Sequence, residues 1–396
     1  MTQSFGIPSP VSTAMIERLV AFDTTSAKSN LALIDYAANI LDDLGATCRL
    51  TYDRDGAKAN LFATLGPGDL PGIVLSGHTD VVPAAAKDWT SDPFQVVSRD
   101  GRLYGRGTAD MKSFIAVCLA KAPDIARRRL GIPIHFAFSY DEEVGCLGVR
   151  NLLADLAHLP TRPRLCVVGE PTEMRVVVAH KGKKSVRCTV HGKECHSAMN
   201  DRGVNAVEVA AEIVAFLRAL QRRIRHDGPF EEGFDPPYTT IHTGLIRGGV
   251  ALNIVPKTCM FEFEIRNLPR HDPDQLMAEV RGLAQDLIPD MLAVDPAAGI
   301  DFDESNTTVG LDSVGNEEAA RLASALTGRN DTAKVAFTTE AGLFSAAGIP
   351  AVVCGPGSID QAHKPDEFIT LDQVAQCEAF IDHLVDGASV AGSDHR

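Results

Sequence analysis

The chain has 396 residues, of which 45% are apolar and 23% are charged, and its formal net charge is −14. This length is enough for two domains, and the composition is ordinary for a globular protein. The negative charge argues against general binding to nucleic acid or to anionic membranes. The N-terminus lacks the basic and apolar regions of a secretory signal, and no apolar run reaches the roughly 18 residues that span a bilayer. We therefore expect a cytoplasmic protein without nucleic-acid or membrane partners.

Nine cysteines are scattered along the chain, and no C-x-x-C motif occurs. An odd number without such a motif is typical of reduced thiols in a reducing compartment. Cys188 and Cys195 are the nearest pair. A metal or disulfide pair is one interpretation of them, and separate thiols that fill a strand are the favoured one.

Helical and strand-like patterns alternate over the first 168 residues. Apolar residues recur at helical spacing over residues 10–22 and 31–44. Further strands and helices are predicted in alternation, with strands at 48–52, 60–65, 72–76, 132–140 and 165–168, a hairpin at 94–105, and helices at 111–126 and 148–156. Strands that are apolar almost throughout, alternating with helices, predict an α/β domain with a mostly parallel sheet and helices on both faces.

The pattern changes after His180. Strands are predicted at 184–191, 239–246, 259–265 and 300–303, and helices at 205–225 and 273–287. This β-α-β-β-α-β order describes a ferredoxin-like α+β module. The α/β pattern then resumes, with helices at 316–326, 341–347 and 371–386 and strands at 333–337 and 351–354. We therefore predict one domain formed by residues 1–181 and 306–396, with a second domain of residues 182–305 inserted into it.

Five places in the α/β parts share one arrangement, in which a histidine or a carboxylate follows an apolar strand and lies beside small residues. They are His78, Asp110, the pair Glu142 and Glu143, Glu170, and His363. Two histidines and three carboxylates can hold two divalent ions, with one carboxylate bridging. Because thiolates are absent from this set, Zn²⁺, Co²⁺ or Mn²⁺ is favoured over Ca²⁺ or Mg²⁺. One of the adjacent glutamates can bind metal while the other acts as a base.

Each of these features has a simpler interpretation when it is taken singly. Residues 105–107, Gly-Arg-Gly, form a tight turn or a weak phosphate-loop lookalike, and they lack the G-x-G-x-x-G spacing of dinucleotide-dependent oxidoreductases. Glu142 and Glu143 alone are typical of a solvated helix start, and His363 alone is typical of a loop. The joint occurrence of all five places carries the inference. A non-catalytic binding protein that has lost its metals is a further alternative. It is disfavoured because every candidate ligand and the candidate base are present.

Seven segments, in order through nearly the whole chain, resemble the M20 family of metallo-aminoacyl hydrolases. They are SGHTDVVP (76–83), GRGTADMK (105–112), SYDEEVGCLG (139–148), VVGEPT (167–172), GKECHSA (192–198), LNIVP (252–256) and GPGSIDQAHKPDEF (355–368). The last segment and residues 338–341 most resemble those members that remove the acetyl group from N2-acetyl-L-ornithine in arginine biosynthesis. Succinyl-diaminopimelate desuccinylase, carboxypeptidase and dipeptidase activities stay open as alternatives within the family.

The resemblance implies which residues hold the two metal ions. One ion would be held by His78, Asp110 and Glu170. The other would be held by Asp110, Glu143 and His363, so that Asp110 bridges the two ions. It also implies a cis peptide bond after the bridging aspartate, between residues 110 and 111.

The resemblance further implies the roles of residues around the metals. Asp80 would orient His78, and Glu142 would be the general acid and base. The inserted domain would be a lid and dimerisation domain, so a homodimer is expected. From this domain, His196 would hydrogen-bond the oxyanion, commonly in the active site of the partner subunit.

Three residues are predicted to contact the substrate. Asn253 and Arg266 match lid residues with that role, and a guanidinium suits bidentate capture of a carboxylate. Glu340 is a candidate partner for the δ-ammonium of N-acetylornithine. The alternative for Glu340 is that it merely favours a helix N-terminus electrostatically.

Overall fold

The computed structural model describes residues 6–390, and it divides the chain into two compact units. The main unit contains the chain up to Ala179, Leu311–Ala333, and the chain from Thr339. The inserted unit contains His180–Gly310 together with Lys334–Thr338. A short segment late in the sequence therefore belongs to the inserted unit.

The helices and strands up to the start of the inserted unit follow the predicted order, except that the last strand among them was not predicted. They are α1 (Pro10–Val20), α2 (Leu31–Asp43), β1 (Thr47–Tyr52), β2 (Ala59–Leu65), β3 (Ile73–His78), β4 (Val97–Arg99), β5 (Arg102–Tyr104), α3 (Lys112–Arg127), β6 (Ile134–Ser139), α4 (Gly148–Leu156), β7 (Leu165–Val168) and β8 (Val176–His180).

The remaining elements complete both units. The inserted unit contributes β9 (Lys183–His191), α5 (Ala206–Asp227), β10 (Thr240–Gly248), β11 (Thr258–Arg266), α6 (Pro273–Val294) and β12 (Gly299–Thr308). The chain then continues with α7 (Glu317–Thr327), β13 (Thr332–Val335), α8 (Ala341–Ala346), β14 (Ala351–Val353), β15 (Phe368–Thr370) and α9 (Leu371–Ala388).

The principal sheet has eight strands in the order β1-β2-β6-β3-β7-β14-β8-β13. The central strands β6, β3, β7 and β14 run parallel to one another, whereas β1, β2 and β8 pair antiparallel. Every residue of β3, β6, β7 and β14 is buried, as expected for strands that helices cover on both faces. The predicted α/β class with a mostly parallel central sheet is confirmed.

Helix α3 lies at the centre of the main core, in contact with α1, α9 and β3. Its residues from Lys112 to Leu119 are all buried. A helix that is apolar on nearly every side has to be enclosed by other elements, and α3 is enclosed in this way. The loop before α3, which contains Asp110, is therefore fixed to a rigid element.

The inserted unit contains a four-stranded antiparallel sheet in the order β10-β11-β9-β12. Alternate residues of β9 and β11 are buried, and they form one core with the apolar residues of α5 and α6. This is the strand order of a ferredoxin-like module, so the predicted α+β insertion is confirmed.

Two elements of the inserted unit are longer than the sequence predicts. Helix α6 continues past Pro289 to Val294, because Met291 is buried in the core and holds the last turn in place. Strand β12 extends to Thr308 because its polar second half pairs with β9 after a bulge between Asp303 and Asn306. In the main unit, the short strands β8 and β15 were not predicted.

All nine cysteines are free thiols, and Cys188 is buried in β9. Strand packing, the favoured interpretation of the pair, is therefore confirmed for Cys188, but it is wrong for Cys195, which is half-buried in the segment between β9 and α5. Within residues 6–390, no helix combines the length and the apolar character that crossing a bilayer requires.

Candidate metal centre

Four neighbouring strands of the main sheet bring the predicted ligands toward one edge. His78 is the last residue of β3, and Glu143 follows the end of β6 by four residues. Glu170 comes two residues after β7, and His363 lies on the segment that follows β14. Because parallel strands present their carboxyl ends at the same edge of a sheet, residues far apart in sequence meet there.

The first group of potential ligands consists of His78, Asp110 and Glu170, all buried, with ligand atoms within 4.8 Å of one another. Nε2 of His78 lies 2.9 Å from Oδ1 of Asp110 and 3.7 Å from Oε1 of Glu170. One imidazole nitrogen and two carboxylates thus converge on a single point. Such a set of donors suits a divalent ion of the zinc type.

The second group consists of Asp110, Glu143 and His363. Nε2 of His363 lies 3.3 Å from Oδ2 of Asp110 and 3.0 Å from Oε2 of Glu143. Asp110 therefore belongs to both groups, with one carboxylate oxygen toward His78 and the other toward His363. The peptide bond between Asp110 and Met111 is cis, as the resemblance implies.

Asp80 contacts both the first histidine and the pair of glutamates. Nδ1 of His78 lies 2.9 Å from the backbone carbonyl of Asp80 and 3.6 Å from its Oδ1. The Asp80 carboxylate also accepts hydrogen bonds from the backbone N–H groups of Glu142 (3.0 Å) and Glu143 (3.3 Å), and from the Ser26 hydroxyl (2.7 Å). A partner at Nδ1 leaves Nε2 to face the carboxylates.

Glu142 and Glu143 differ in what their side chains contact. Glu143 faces His363, whereas Oε1 of Glu142 accepts a hydrogen bond from the Cys146 thiol at 3.3 Å. Burial, reinforced by the nearby carboxylates of Glu143 and Glu340, raises the pKa of Glu142 to about 8. A carboxyl with a pKa close to neutrality can both accept and donate a proton under physiological conditions.

The charges at this edge of the sheet favour bound cations. Burial raises the pKa of Glu170 well above its ordinary value and also raises that of Glu143. The hydrogen bonds that the His363 ring donates to the carboxylates of Asp110 and Glu143 raise the pKa of His363 to about 10. Several buried carboxylates thus face two imidazoles, and divalent cations would compensate this excess of negative charge. The residues present fit a pair of such ions.

The chain matches the model of peptidase family M20/M25/M40 over residues 74–387. It therefore belongs to peptidase family M20/M25/M40. As a member of this family with two potential metal-ligand groups, this M20 chain is a metal-dependent hydrolase.

Curated relatives resemble this M20 chain over almost its whole length. The acetylornithine deacetylase of Myxococcus xanthus is 36% identical over 383 residues, which is 95% of this chain and 97% of the relative. The acetylornithine deacetylase of Proteus mirabilis is 34% identical over 381 residues, covering 94% of this chain and 93% of the relative.

Solved structures share the M20 fold at low sequence identity. A tripeptidase from Staphylococcus aureus is 19% identical and covers 97% of this chain and 99% of its own, with a TM-score of 0.73. An M20 metallo-carboxypeptidase from Sulfolobus solfataricus gives a TM-score of 0.72 at 15% identity, covering 95% of this chain and 99% of its own. A dinuclear metal-binding M20 peptidase from Bacillus subtilis gives a TM-score of 0.65 at 14% identity, covering 95% of this chain and 97% of its own.

Glu340 lies immediately before α8, and only 1% of its surface is exposed. Its Oε1 accepts a hydrogen bond of 2.5 Å from the Ser139 hydroxyl, and the Ser76 hydroxyl interacts with the same carboxylate, but among the residues that the structure describes no hydrogen bond of good geometry reaches Oε2. Burial raises the pKa of this carboxyl to about 7. Glu340 makes no side-chain capping bond to the helix.

The other predicted residues belong to the inserted unit of this M20 chain. His196 is exposed, and its Nδ1 accepts a hydrogen bond from the Ala198 N–H at 3.1 Å. Asn253 is exposed too, and its backbone carbonyl accepts from the Ser197 N–H at 3.1 Å. The structure thus brings the loops of His196 and Asn253 together. Arg266 lies 2.9 Å from Glu264, its neighbour on the same face of β11.

Sequence reasoning overlooked three side chains that support the site. Ser26 and Cys146 contact Asp80 and Glu142, and Glu367 contacts the loop that carries Asp110. The one sequence signal for Cys146 and Glu367 is that they lie inside recognised motifs, at 139–148 and 355–368. Nothing in the sequence around Ser26 indicated a contact with Asp80.

Proposed function

We propose that this M20 hydrolase removes the acetyl group from N2-acetyl-L-ornithine, giving ornithine and acetate in arginine biosynthesis. The observation that carries the proposal is that relatives between 31% and 36% identical, over 92–95% of the chain, bear the name acetylornithine deacetylase. The enzyme then acts on a small N-acyl amino acid in the cytoplasm, without nucleic-acid or membrane partners.

The proposed cofactor is a pair of divalent ions, Zn²⁺, with Co²⁺ or Mn²⁺ as alternatives. His78, Asp110 and Glu170 would hold one ion, and Asp110, Glu143 and His363 would hold the other. In support, the two groups share Asp110, whose two oxygens face different histidines. When bound, such ions supply Lewis-acid chemistry that polarises an amide carbonyl and acidifies water.

Glu142 is the proposed proton carrier of the reaction. Its carboxylate takes a proton from the attacking water while the water oxygen bonds to the acetyl carbon. The carboxyl then returns that proton to the leaving nitrogen as the C–N bond breaks, which yields acetic acid and the amine. Transfer of the acid proton to the amine gives acetate and the ammonium form of ornithine. Asp80 positions both the base and His78, since it binds the Glu142 N–H and lies beside Nδ1 of His78. No covalent intermediate with the protein is required.

The domain roles are proposals as well. Residues 1–181 and 306–396 form the catalytic domain, and residues 182–305 form the lid through which two chains dimerise. His196 donates a hydrogen bond to the oxyanion, in trans within the homodimer. In support, its Nδ1 accepts a hydrogen bond from Ala198, so the proton of the neutral ring sits on Nε2, where it can be donated.

Three residues are proposed to select the substrate. Arg266 binds the α-carboxylate and Asn253 contacts the substrate beside it, because both match lid positions with these roles. Glu340 binds the δ-ammonium. In support, Oε2 of Glu340 is buried and receives no hydrogen bond of good geometry among the described residues, and a buried carboxylate oxygen of this kind gains from a cationic partner.

A hydrolysis screen tests the proposed activity. The purified protein is loaded with Zn²⁺ or Co²⁺ and offered N-acetyl amino acids, N-succinyl-diaminopimelate and dipeptides. We expect the highest kcat/KM for N2-acetyl-L-ornithine. Preference for N-succinyl-diaminopimelate would contradict the proposal and indicate a succinyl-diaminopimelate desuccinylase. Preference for dipeptides would indicate a peptidase.

A further inference from the structure

Glu367 is a buried carboxylate that the proposed reaction does not use. It is 1% exposed and lies four residues after His363. Its Oε1 accepts hydrogen bonds from the N–H groups of Ala109 (2.8 Å) and Asp110 (3.1 Å), and its Oε2 accepts from the Gly107 N–H (3.0 Å). Glu367 therefore binds the backbone of the loop that ends in the shared ligand.

These backbone groups depend on an acceptor from elsewhere in the fold. The loop lies between β5 and α3, and its residues from 105 to 111 are buried. Thr108 and Lys112 bond to carbonyls within the loop, whereas Gly107, Ala109 and Asp110 bond to Glu367. A buried N–H without an acceptor is costly, so replacing this carboxylate affects three donors together.

An ion pair keeps Glu367 from adding negative charge to the metal centre. Nη1 of Arg106 lies 2.6 Å from Oε2 of Glu367, and Arg106 is itself only 3% exposed. The Arg106 guanidinium also lies over the Trp89 ring, 5.1 Å from its centroid. Glu367, which anchors the loop, therefore forms an ion pair with Arg106 that neutralises its charge, and packing against Trp89 holds the pair in place.

We propose that Glu367 is the positioning residue for the bridging Asp110. It holds the Asp110 N–H directly and fixes the neighbouring backbone, so that the two carboxylate oxygens of Asp110 stay directed at different histidines. Residues 363–367 carry both His363 and Glu367. This short segment therefore couples the position of His363 to that of Asp110. The inference rests on the proposed role of Asp110 as a metal ligand.

Metal affinity of the protein without substrate tests this inference. In Glu367→Gln, the side-chain amide directs an N–H at donors of the loop or of Arg106, and Arg106 loses its charge partner. Removing a group that supports metal ligands usually costs 10- to 100-fold in affinity. We expect Zn²⁺ affinity, measured by competition with a chromophoric chelator, to fall at least tenfold for both ions. With the metals restored in excess, kcat should fall more than KM rises.

Glu378→Gln is the matched control. Glu378 is also a buried glutamate, but it lies in α9 and accepts hydrogen bonds from the N–H and the hydroxyl of Ser9. This variant should lose stability without any change in Zn²⁺ affinity. Wild-type affinity in a folded Glu367→Gln protein would overturn the inference. If Glu367→Gln does not fold, Glu367→Asp is the deciding variant, because the shorter side chain keeps the charge but reaches fewer donors. The Zn²⁺ affinity of Glu367→Asp should also fall. Wild-type Zn²⁺ affinity in Glu367→Asp would overturn the inference equally.

Asp110→Asn separates this inference from the proposed function. If Asp110→Asn lowers Zn²⁺ affinity and Glu367→Gln does not, the positioning role of Glu367 is wrong and the metal assignment stands. If neither variant lowers the affinity, the proposed metal assignment is wrong as well.

Discussion

Asp80 and Cys146 show how single side chains divide the roles of the two adjacent glutamates. Asp80 binds the backbone N–H of both Glu142 and Glu143, so the pair is held as one turn. Their carboxylates then diverge, because Glu143 faces His363 while the Cys146 thiol donates to Glu142. The contacts therefore support a metal ligand at Glu143 and a proton carrier at Glu142.

Substrate selection by Glu340 can be tested at the same scale. If its buried carboxylate binds the δ-ammonium of the substrate, Glu340→Gln leaves that charge unpaired, which is costly in a desolvated site. We expect kcat/KM for N-acetylornithine to fall at least tenfold. N-acetylmethionine, which has an uncharged side chain, should be affected far less. Equal losses on both substrates would assign Glu340 to structural support of the site.

The residue types of the site were predictable from sequence because each proposed ligand lies within a recognisable motif that comes after a strand. The supporting contacts were not predictable in this way. Ser26 reaches Asp80 from a loop 54 residues away, and Glu367 reaches Asp110 across 257 residues. Such pairings depend on how distant loops pack, which local periodicity does not encode.

At the scale of elements, a close approach of two backbones fixes the ends of β7 and β14. A Cβ added to Gly355 would lie 2.0 Å from the Gly169 carbonyl oxygen and 2.7 Å from that of Glu170. Both neighbours are backbone atoms that cannot rotate away. Glycine at position 355 therefore lets the segment toward His363 pass directly beside Glu170.

We expect Gly355→Ala to destabilise the protein by about 1–3 kcal/mol, the usual cost of overpacking, and to weaken metal binding because both segments carry proposed ligands. Thermal unfolding and chelator competition measure these two effects. Gly387→Ala, near the end of α9, is the control, because nothing lies within 4 Å of an added Cβ there. The account fails at this point if Gly355→Ala is as stable as Gly387→Ala.

The type and order of most elements followed from periodicity, whereas the short strands β8 and β15 and some element ends did not. Helices α1, α2 and α4 end within two residues of their predicted bounds, because apolar spacing marks them clearly. The helix predicted over residues 273–287 stops short of the observed end of α6 at Val294, because core packing carries the helix past Pro289. The three-residue strand β15 is too short for any alternation to be visible, and it is defined by its pairing with β5.

At the scale of the whole molecule, action of His196 across a homodimer gives a distinctive prediction. His196→Ala should lower kcat by roughly two to three powers of ten, the usual loss for one oxyanion donor. A heterodimer of a His196→Ala chain and a Glu142→Gln chain contains one site with both groups intact. Mixing the two inactive proteins should therefore restore part of the activity. No recovery after verified subunit exchange would exclude action in trans.

The most direct test of the central claim combines metal content and turnover in Glu142→Gln. Because the proposed metal ligands and the proposed proton carrier are different residues, this variant should keep its metals and lose its hydrolytic activity. We expect two ions per chain, as in the wild type, and a kcat for N2-acetyl-L-ornithine lower by several powers of ten. Near-normal turnover of this substrate by Glu142→Gln with both ions bound would contradict the account.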